Sequence, residues 1–342
     1  MKTPNIFLLI FFLLIGINSF SQDWENYIDV TSIGNVRLYA SDMDNEKSLY
    51  TVGHFENSIG DSLSSNGNYD FFILKLDSLL NPKWLKNIGS QQREFVFIQT
   101  KIDKNNNLFV AGAFKDTCTF NGINDTLISA GINDVFLAKY DKNGNFHWTK
   151  NIASLPSSQW LTGLDVDENN DILITGYYKD SIKIENDTLR GVGLNSYFAK
   201  FDNSGTLIWT KNIISSTNYG KITSVKAFND GYYLNGYFSG DLFLDVKTIS
   251  SLDPGKGDVY LYKTNFDGDG LWVRQCYSSN DDYTGTIDKD DYGNVYYTGY
   301  FSGTNFIADS TDIEVSKKSL NPVGGDDIFI VKYNKTGNLL WL

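Results

Sequence analysis

Histidine, cysteine, methionine and proline are scarce in this sequence, with 2, 2, 2 and 5 copies among 342 residues. His54 and His147 lie far apart along the chain, so a histidine-rich transition-metal site cannot be built. The sequence also lacks the Gly-x-Ser-x-Gly, His-Glu-x-x-His and phosphate-loop motifs of several enzyme classes. Because 41 residues are acidic, no single carboxylate pair points to glycosidase chemistry. Whether the protein is an enzyme is therefore open, and nothing in the sequence favours catalysis.

Positive charge is also in short supply. The 29 Lys and Arg are outnumbered by 41 Asp and Glu, which leaves a formal net charge of -12. An acidic chain repels the phosphate backbone of nucleic acids and offers it no basic patch. We therefore expect no nucleic-acid partner.

Long apolar runs are absent after the first 21 residues. A membrane span needs about 20 apolar residues, whereas the run at 6–15 is shorter, follows Lys2 and precedes Ser19 and Ser21. A basic start, an apolar stretch and small residues before the cleavage point predict a signal peptide over residues 1–21. No cysteine at this point could carry a lipid anchor. We expect a protein that is secreted or held at the extracellular cell surface, with no transmembrane segment after the signal is removed.

Helical periodicity is missing too. Aromatic residues make up 15% of the chain, and these side chains favour strands over helices. The composition therefore predicts an all-β protein.

Tryptophan marks an internal repeat. Six of the seven tryptophans recur at intervals of 60, 64, 61, 63 and 69 residues, and Trp160 stands outside the series. Self-similarity at such a period is the signature of a repeat protein. The series consists of Trp24, Trp84, Trp148, Trp209, Trp272 and Trp341.

Each of the last five tryptophans follows a turn. Asp or Asn stands seven residues earlier, and Gly lies three residues after it in four copies, whereas the first copy has Leu80. Asx side chains cap the backbone of a turn and Gly accepts a positive φ. The Asx residues are Asp77, Asp141, Asp202, Asn265 and Asn334, and the glycines are Gly144, Gly205, Gly268 and Gly337.

Two strands with fixed residues precede this turn. The nearer strand begins with Asp or Asn and has Lys five residues later, at Lys75, Lys139, Lys200, Lys263 and Lys332. The farther strand ends in Gly with an aromatic residue two positions on, and its glycines are Gly53, Gly112, Gly176, Gly236 and Gly299. An Asp nine residues before the Gly opens another turn in four copies, at Asp44, Asp103, Asp167 and Asp290.

One repeat thus contains four antiparallel strands joined by Asx turns and a short hairpin such as Asn121-Gly122. Repeated four-stranded antiparallel units are the blades of a β-propeller. We predict a propeller over residues 22–342, with a lone Trp strand at 24–30 and then five repeats. The approximate bounds of the repeats are 31–90, 91–153, 154–214, 215–277 and 278–342. An open β-solenoid or a string of β-sandwich domains is the alternative.

The two ends of the repeat series bear on ring closure. Trp24 begins a strand with no repeat before it, and the fifth repeat stops at Leu342, one residue into its own Trp strand. We expect the first strand to complete the last blade of a ring of six or seven blades, with the chain truncated. A five-bladed ring with a frayed end is the alternative.

The two cysteines occupy apolar core positions of the repeat. Other repeats have aliphatic residues there, namely Ile88, Ile152 and Ile213 for Cys276, and Ile182 and Leu242 for Cys118. This predicts two buried, unbridged thiols in different blades. A disulfide or a metal site is the alternative in an exported protein.

Most repeats have Asp, an aromatic residue, Lys, Asx-Gly and Trp at nearly the same relative positions. This pattern is the basis of a resemblance to a known family. Segments such as 131–148 and 290–299 resemble the bacterial SBBP β-propeller repeat, and the resemblance covers nearly all of residues 24–342. It implies an extracellular or cell-surface protein of the kind associated with type IX secretion, and it implies no reaction. A weaker resemblance to quinoprotein propellers rests on an Asp-Gly-Trp pattern that is here one residue short.

Oxygen-bearing residues alternate in the turn that contains Asp165, Asp167, Asn169 and Asp171, as they do in calcium-binding loops. The turn lacks a Gly at its sixth position, and Gly176 stands where a bidentate Glu belongs. Ordinary strand turns are therefore the main interpretation and bound calcium the alternative. We expect no other cofactor.

Residues present in every blade are expected to serve the blade, because ligand sites on a shared scaffold are unique clusters. This assigns a structural role to the recurring lysines and to Trp84, Trp148, Trp209, Trp272 and Trp341. The candidate ligand-binding residues are Tyr177, Tyr237 and Tyr300, which follow the second-strand Gly, and Trp160. Flat rings at a rim stack on sugars, and packing between blades is the alternative.

These observations favour a monomeric, non-catalytic extracellular scaffold that binds a glycan or a protein at the bacterial cell surface. Two alternatives stay open. One is a secreted glycan-active hydrolase or lyase with an acidic site at the propeller axis. The other is an inert spacer in a larger surface protein.

Overall fold

A computed structural model describes residues 32–60, 62–65, 69–89, 98–120, 125–153, 158–217, 219–309 and 318–342. The predicted signal peptide, the strand at 24–30 and the turn at Asn121-Gly122 lie outside these residues. The described chain is built from β-strands and contains no α-helix. It accordingly has no helix of the length and apolarity needed to cross a membrane. The all-β prediction is confirmed.

The described residues form 29 strands, which follow the five repeats in chain order. The first repeat holds β1 (Ser32–Ile33), β2 (Val36–Met43), β3 (Leu49–Phe55), β4 (Ser58–Ile59), β5 (Leu63–Ser64), β6 (Asp70–Leu76) and β7 (Pro82–Ile88). The second holds β8 (Ile98–Ile102), β9 (Leu108–Phe114), β10 (Thr117–Thr119), β11 (Thr126–Ile128), β12 (Asp134–Tyr140) and β13 (Phe146–Ala153). The third holds β14 (Gln159–Val166), β15 (Ile172–Ile184), β16 (Asp187–Phe201) and β17 (Leu207–Ser215).

The remaining strands belong to the last two repeats. The fourth holds β18 (Gly220–Phe228), β19 (Gly231–Phe238), β20 (Asp241–Phe243), β21 (Thr248–Ser250), β22 (Asp258–Thr264) and β23 (Gly270–Tyr277). The fifth holds β24 (Asp282–Lys289), β25 (Val295–Phe301), β26 (Phe306–Ala308), β27 (Lys318–Leu320), β28 (Asp327–Tyr333) and β29 (Leu339–Trp341).

Each repeat forms one four-stranded antiparallel blade with its strands side by side in chain order. The blades are β2-β3-β6-β7, β8-β9-β12-β13, β14-β15-β16-β17, β18-β19-β22-β23 and β24-β25-β28-β29. The chain is therefore a β-propeller with five described blades of about 60 residues.

The first strand of each blade lies nearest the axis, because the first strands of neighbouring blades contact one another in series from β2 to β24. Antiparallel pairing places the turns between strands one and two and between strands three and four at the same end of the propeller, which we call the turn end. The hairpins between strands two and three lie at the opposite end, together with the links between blades. We call this the hairpin end.

A short hairpin in each of several repeats pairs with the strand that precedes its own blade. β20 pairs with the outer strand β17, and β26 pairs with the outer strand β23. Gly89 and Thr119 form the same kind of bridge between the first two blades, and β1 pairs with β4. We call these hairpins clasps. They cover the outer edges of blades with main-chain hydrogen bonds, and an uncovered edge invites pairing with other chains.

The hydrophobic core is divided among the interfaces between blades. One cluster of buried side chains lies between each consecutive pair of described blades, and a fifth lies on the other face of the first blade. Tyr and Phe fill much of this space, as the high aromatic content predicts. Burial of one such side chain stabilises the fold by roughly 1.5–3 kcal/mol, so neighbouring blades stabilise each other.

The outward face of the fifth blade differs from this pattern. Ile328 is 77% exposed and Ile330 47% exposed, whereas the matching Val259 and Leu261 of the fourth blade are fully buried. This face has the apolar character of one that packs against another blade.

Both cysteines are buried, Cys118 in the second repeat and Cys276 in the fourth, and neither is joined in a disulfide. Cys276 Sγ lies 3.6 Å from Tyr333 Oη. Burial raises the pKa of Cys276 to about 12, so this thiol stays protonated and acts as a core side chain. The prediction of two buried, unbridged thiols is confirmed.

Candidate functional site

The recurring tryptophans and lysines meet at the turn end. Trp84 Nε1 and Lys75 Nζ of the first blade both donate to the carbonyl oxygen of Lys142 in the second blade, over 3.2 and 2.9 Å. The fourth blade repeats this arrangement with Trp272, Lys263 and Lys335. The repeated side chains therefore join each of these blades to a turn of the following one.

The turn glycines face the same tryptophans. Gly205 has a φ of +77°, and a Cβ placed on it would lie 2.8 Å from the ring of Trp148 in the preceding blade. Gly144, Gly268 and Gly337 stand in the same relation to Trp84, Trp209 and Trp272. Leu80 has a φ of 66°, so the first copy keeps the left-handed turn without glycine.

The carboxylates of the turn end are paired with lysines and backbone N–H groups. Asp230 contacts the Nζ atoms of Lys263 and Lys289, each at 2.6 Å. Burial alone would raise the pKa of Asp230, but the two lysines outweigh it and lower the pKa. The pKa of Asp141 is likewise lowered, since hydrogen bonds from Asn145 and the backbone exceed the opposing effect of burial. These groups stay ionised and serve the turns.

The candidate calcium loop gives its oxygens to protein donors. Asp167 and Asp171 both contact Lys200 Nζ, at 3.2 and 2.9 Å, and Asp165 lies 3.4 Å from Lys101 Nζ. The described part of the chain contains no group of three or more His, Cys, Asp or Glu arranged to hold a metal ion. Calcium binding stays a prediction without support from this geometry.

A cavity of about 530 Å³ opens at the turn end between blades three, four and five. Its lining includes Glu168, Asp230, Lys289, Asp290 and Tyr292. A glycosidase needs one carboxylic acid with a raised pKa. Here the pKa of Asp290 is lowered, because hydrogen bonds from its turn and from Lys332 exceed the effect of burial, and Asp230 behaves alike. The lowered pKa values of Asp230 and Asp290 suit a structural role better than acid catalysis.

The candidate ligand-binding residues lie at the hairpin end, on strands one and two of blades three to five. Trp160 and Tyr177 pair across β14 and β15, and their rings stack at 4.7 Å with 17° between the planes. Tyr283 and Tyr300 occupy the same positions in the fifth blade and stack at 4.6 Å and 13°. The structure therefore brings Trp160 together with Tyr177, a pairing that sequence reasoning did not propose.

The fourth blade carries a lysine between these two ring pairs. Lys221 pairs across strands with Tyr237, and its Nζ lies 4.3 Å from the ring centre of Tyr177 and 5.8 Å from that of Tyr237. Tyr219 lies 5.3 Å from Tyr237, ring centre to ring centre. We call the whole group the aromatic surface. It consists of Trp160, Tyr177, Tyr219, Lys221, Tyr237, Tyr283 and Tyr300.

Accessibility varies along the aromatic surface. Tyr219 is 47% exposed, Tyr283 40% and Tyr300 39%, whereas Tyr177 and Tyr237 are half-buried between blades. Burial, with a smaller contribution from Tyr237, raises the pKa of Tyr177 to about 12. Tyr177 and Tyr237 thus combine blade packing with partial exposure, and the three exposed rings are open to a ligand.

Sequence reasoning missed Tyr219, Lys221 and Tyr283. Lys221 and Tyr283 are the cross-strand partners of two predicted tyrosines, so pairing the first and second strands of each repeat could have found them. Tyr219 lies one residue before β18, and no repeat position marks it. His54 and Ala113 stand at the tyrosine position in the first two blades, so the aromatic surface belongs to the last three.

Two buried carboxylates, Asp258 and Asp282, are the first residues of their strands at the hairpin end. Burial raises the pKa of Asp258 to about 6, against hydrogen bonds from Leu252 N–H and Gln275. Burial likewise raises the pKa of Asp282 to about 7, although Ser278 donates to both of its oxygens over 2.7 Å. These groups bind protons within the neutral to mildly acidic range.

Charged residues of alternating sign stand at one position of the first strands. The cross-strand registers place Asp42, Lys101, Asp165, Lys226 and Asp288 there in blades one to five. Lys101 Nζ lies 3.8 Å from Asp42 and 3.4 Å from Asp165. Burial would lower the pKa of Lys101, but the two aspartates raise it. The sign of the charge at this position therefore repeats every two blades, in addition to the one-blade repeat of the sequence.

Comparisons with known proteins agree with a repeat protein and assign no family. No family model matches the chain. It is 24% identical over 304 residues to the uncharacterized WD repeat-containing protein L264 of Acanthamoeba polyphaga mimivirus. The match takes in 70% of this chain, which spans 21% of that relative's length.

Two solved structures are similar at low sequence identity. One is a protein of unknown function from Dyadobacter fermentans, with a TM-score of 0.44, 8% identity, and coverage of 91% of this chain and 94% of that one. The other is CoXyl43, a GH43 β-xylosidase/α-arabinofuranosidase from a compost microbial metagenome, in complex with xylotriose. Its TM-score is 0.39 with 10% identity, and the coverage is 92% of this chain and 96% of that one.

Proposed function

We propose that this propeller is a non-catalytic extracellular binding protein whose aromatic surface takes a carbohydrate ligand at the bacterial cell surface. One observation carries the proposal, namely two stacked ring pairs on alternate blades with exposed tyrosines between and beside them. The C–H face of a sugar ring packs on flat aromatic side chains, and few polar groups then fix its orientation.

Two features of the sequence support the extracellular location. Residues 1–21 have the pattern of a signal peptide, and the repeat resembles the SBBP repeat of secreted and surface proteins. A monomer that presents the hairpin end to the cell surface or to shed polysaccharide is the form we propose.

A binding role also fits the chemistry better than a hydrolase does. Two carboxylates of the turn-end cavity, Asp230 and Asp290, have lowered pKa values and lysine partners. Asp134, Asp258 and Asp282, whose pKa values are raised, are buried at 0%, 0% and 1% exposure. Neither set offers substrate an exposed general acid beside a base.

The experiment is a carbohydrate array with a parallel hydrolysis screen on the purified chain, followed by titration calorimetry of any ligand found. We expect saturable binding without product release, and Tyr283→Ala should weaken it about fivefold because one stacked ring is worth about 1 kcal/mol. Tyr292→Ala is the matched control, since Tyr292 is 89% exposed at the turn end.

Two results would overturn the proposal. Product release would show an enzyme instead of a binding protein. Binding to no carbohydrate by a cooperatively folded sample, or binding that Tyr283→Ala leaves unchanged, would remove the aromatic surface as the carbohydrate site.

A further inference from the structure

Lys221 differs from the repeated lysines in what surrounds it. Lys75, Lys200, Lys263 and Lys332 each contact an aspartate of their own blade's first turn. Lys221 instead faces two tyrosine rings and forms no ion pair with any residue that the structure describes. Its positive charge is therefore held in the middle of the aromatic surface without a carboxylate partner.

The ring contacts do not use the whole ammonium group. A cation on a ring face is attracted by the ring quadrupole, but its N–H donors still seek oxygen acceptors. Burial lowers the pKa of Lys221, and the opposing effect of Tyr219 is smaller. The side chain is partly exposed, so an acceptor can reach it from solvent.

Two aspartates, Asp281 and Asp326, act on this region, and the first of them has partners of its own. Asp281 acts on the pKa values of Tyr219 and Tyr283. Its carboxylate accepts the Gly257 N–H at 2.8 Å and lies 3.6 Å from Lys256 Nζ. An anionic ligand at Lys221 thus meets a carboxylate whose charge is balanced by another lysine.

We propose that the aromatic surface selects acidic polysaccharides. The carboxylate of a uronate residue pairs with Lys221 Nζ, while sugar rings of the same chain lie on the exposed rings of Tyr219 and Tyr283. A charge-assisted hydrogen bond to a partly buried ammonium is stronger than a neutral one. This inference rests on the proposed carbohydrate binding and adds the charge of the ligand.

The overall charge of the protein sharpens the inference. A chain of net charge -12 repels polyanions at long range, so attraction to an acidic polysaccharide has to come from a local group. Added salt screens both effects, and the pair buried against the rings is screened less than the exposed charges.

The test is titration calorimetry with polygalacturonate and with the same polymer fully methyl-esterified, which removes the charge and keeps the sugar. We expect the acid to bind at least about tenfold more tightly than the ester. Lys221→Gln should lower affinity for the acid about tenfold, leave the ester unchanged, and be rescued by Lys221→Arg. Lys226→Gln is the matched control, because Lys226 lies on the same strand at the axial charged position.

The outcomes separate this inference from the proposed function. Equal binding of acid and ester, with no effect of Lys221→Gln, overturns the charge selection and leaves carbohydrate binding in place. Failure of both polymers and of every neutral carbohydrate on the array overturns both. A thermal melt of each variant shows that the fold is intact, and the comparison of acid with ester needs no variant.

Discussion

Several turn carboxylates at the turn end and two carboxylates that open strands at the hairpin end have opposite pKa shifts. At the turn end, hydrogen bonds from turn side chains and backbone N–H groups lower the pKa of Asp141 and Asp202 against the effect of burial, and two lysines do the same for Asp230. At the hairpin end, burial dominates and raises the pKa of Asp258 and Asp282 to about 6 and about 7. The turn end thus repeats similar stabilising contacts in several blades, whereas the aromatic surface at the hairpin end differs from blade to blade.

The same contrast applies to the aromatic residues. Trp272 is 9% exposed and packs against Tyr233, Tyr333 and a turn of the following blade. The stacked pair of Tyr283 and Tyr300 is about 40% exposed. Repeated contacts at one end stabilise the packing of neighbouring blades, and the variable aromatic residues at the other end are those for which we propose ligand binding.

The largest expected effect comes from removing a turn-end tryptophan. Trp272→Ala should lower the free energy of unfolding by about 3–5 kcal/mol, as deletions of buried tryptophan do. Trp160→Ala at the hairpin end should cost less than about 2 kcal/mol, because its ring is partly exposed. Urea unfolding followed by circular dichroism measures both, and equal losses would contradict the division between the two ends.

A smaller effect is expected from pH. Asp282 binds a proton more tightly in the folded chain than in the unfolded one, so stability from this group is complete below about pH 4 and is lost as pH rises through 7. Turn-end carboxylates with lowered pKa behave oppositely and lose their contribution below about pH 4.

The variant Asp282→Asn tests the direction in which stability changes with pH. The variant should be more stable than the parent at pH 8, on the order of 2–3 kcal/mol, and nearly equal to it at pH 4. Thermal melts between pH 4 and 8 give the profile. A parent and a variant with parallel profiles would show that Asp282 does not titrate in this range.

The smallest expected effect concerns the turns themselves. Gly205→Ala places a Cβ against Trp148 at a φ of +77° and should cost about 1–2 kcal/mol from backbone strain alone. Gly60→Ala is the matched control, because Gly60 also has a positive φ, of +52°, and no atom lies within 4 Å of its added Cβ. A loss for Gly60→Ala as large as that for Gly205→Ala would show that the tryptophan contact does not matter.

The sequence predicts the blade well because every blade repeats the same contacts. Asp and Asn at turns, Gly at positive φ and Trp at fixed spacing are local rules read from each copy, and Cys118 and Cys276 were placed by comparison with sister repeats. The clasps were not predicted, since pairings such as Ile214 with Phe243 involve two residues and leave no pattern. The number of blades in the full ring stays a prediction.

The candidate site was predicted only in part for a different reason. Tyr177, Tyr237 and Tyr300 share one repeat position, but Lys221 and Tyr219 matter through contacts across strands and blades. The alternation along the axis was visible, because Asp42, Asp165 and Asp288 are spaced 123 residues apart. A search for a repeat of one blade length averages the opposite charges at this position and therefore does not detect the alternation.

The clasps also bear on the order of events during folding. Ser215 on the outer strand of the third blade pairs with Leu242, and Tyr277 on that of the fourth pairs with Ile307. In folding that proceeds from the first blade to the last, the outer edge of each of these blades therefore stays open until almost half of the next repeat is in place, and such an edge can pair with other chains.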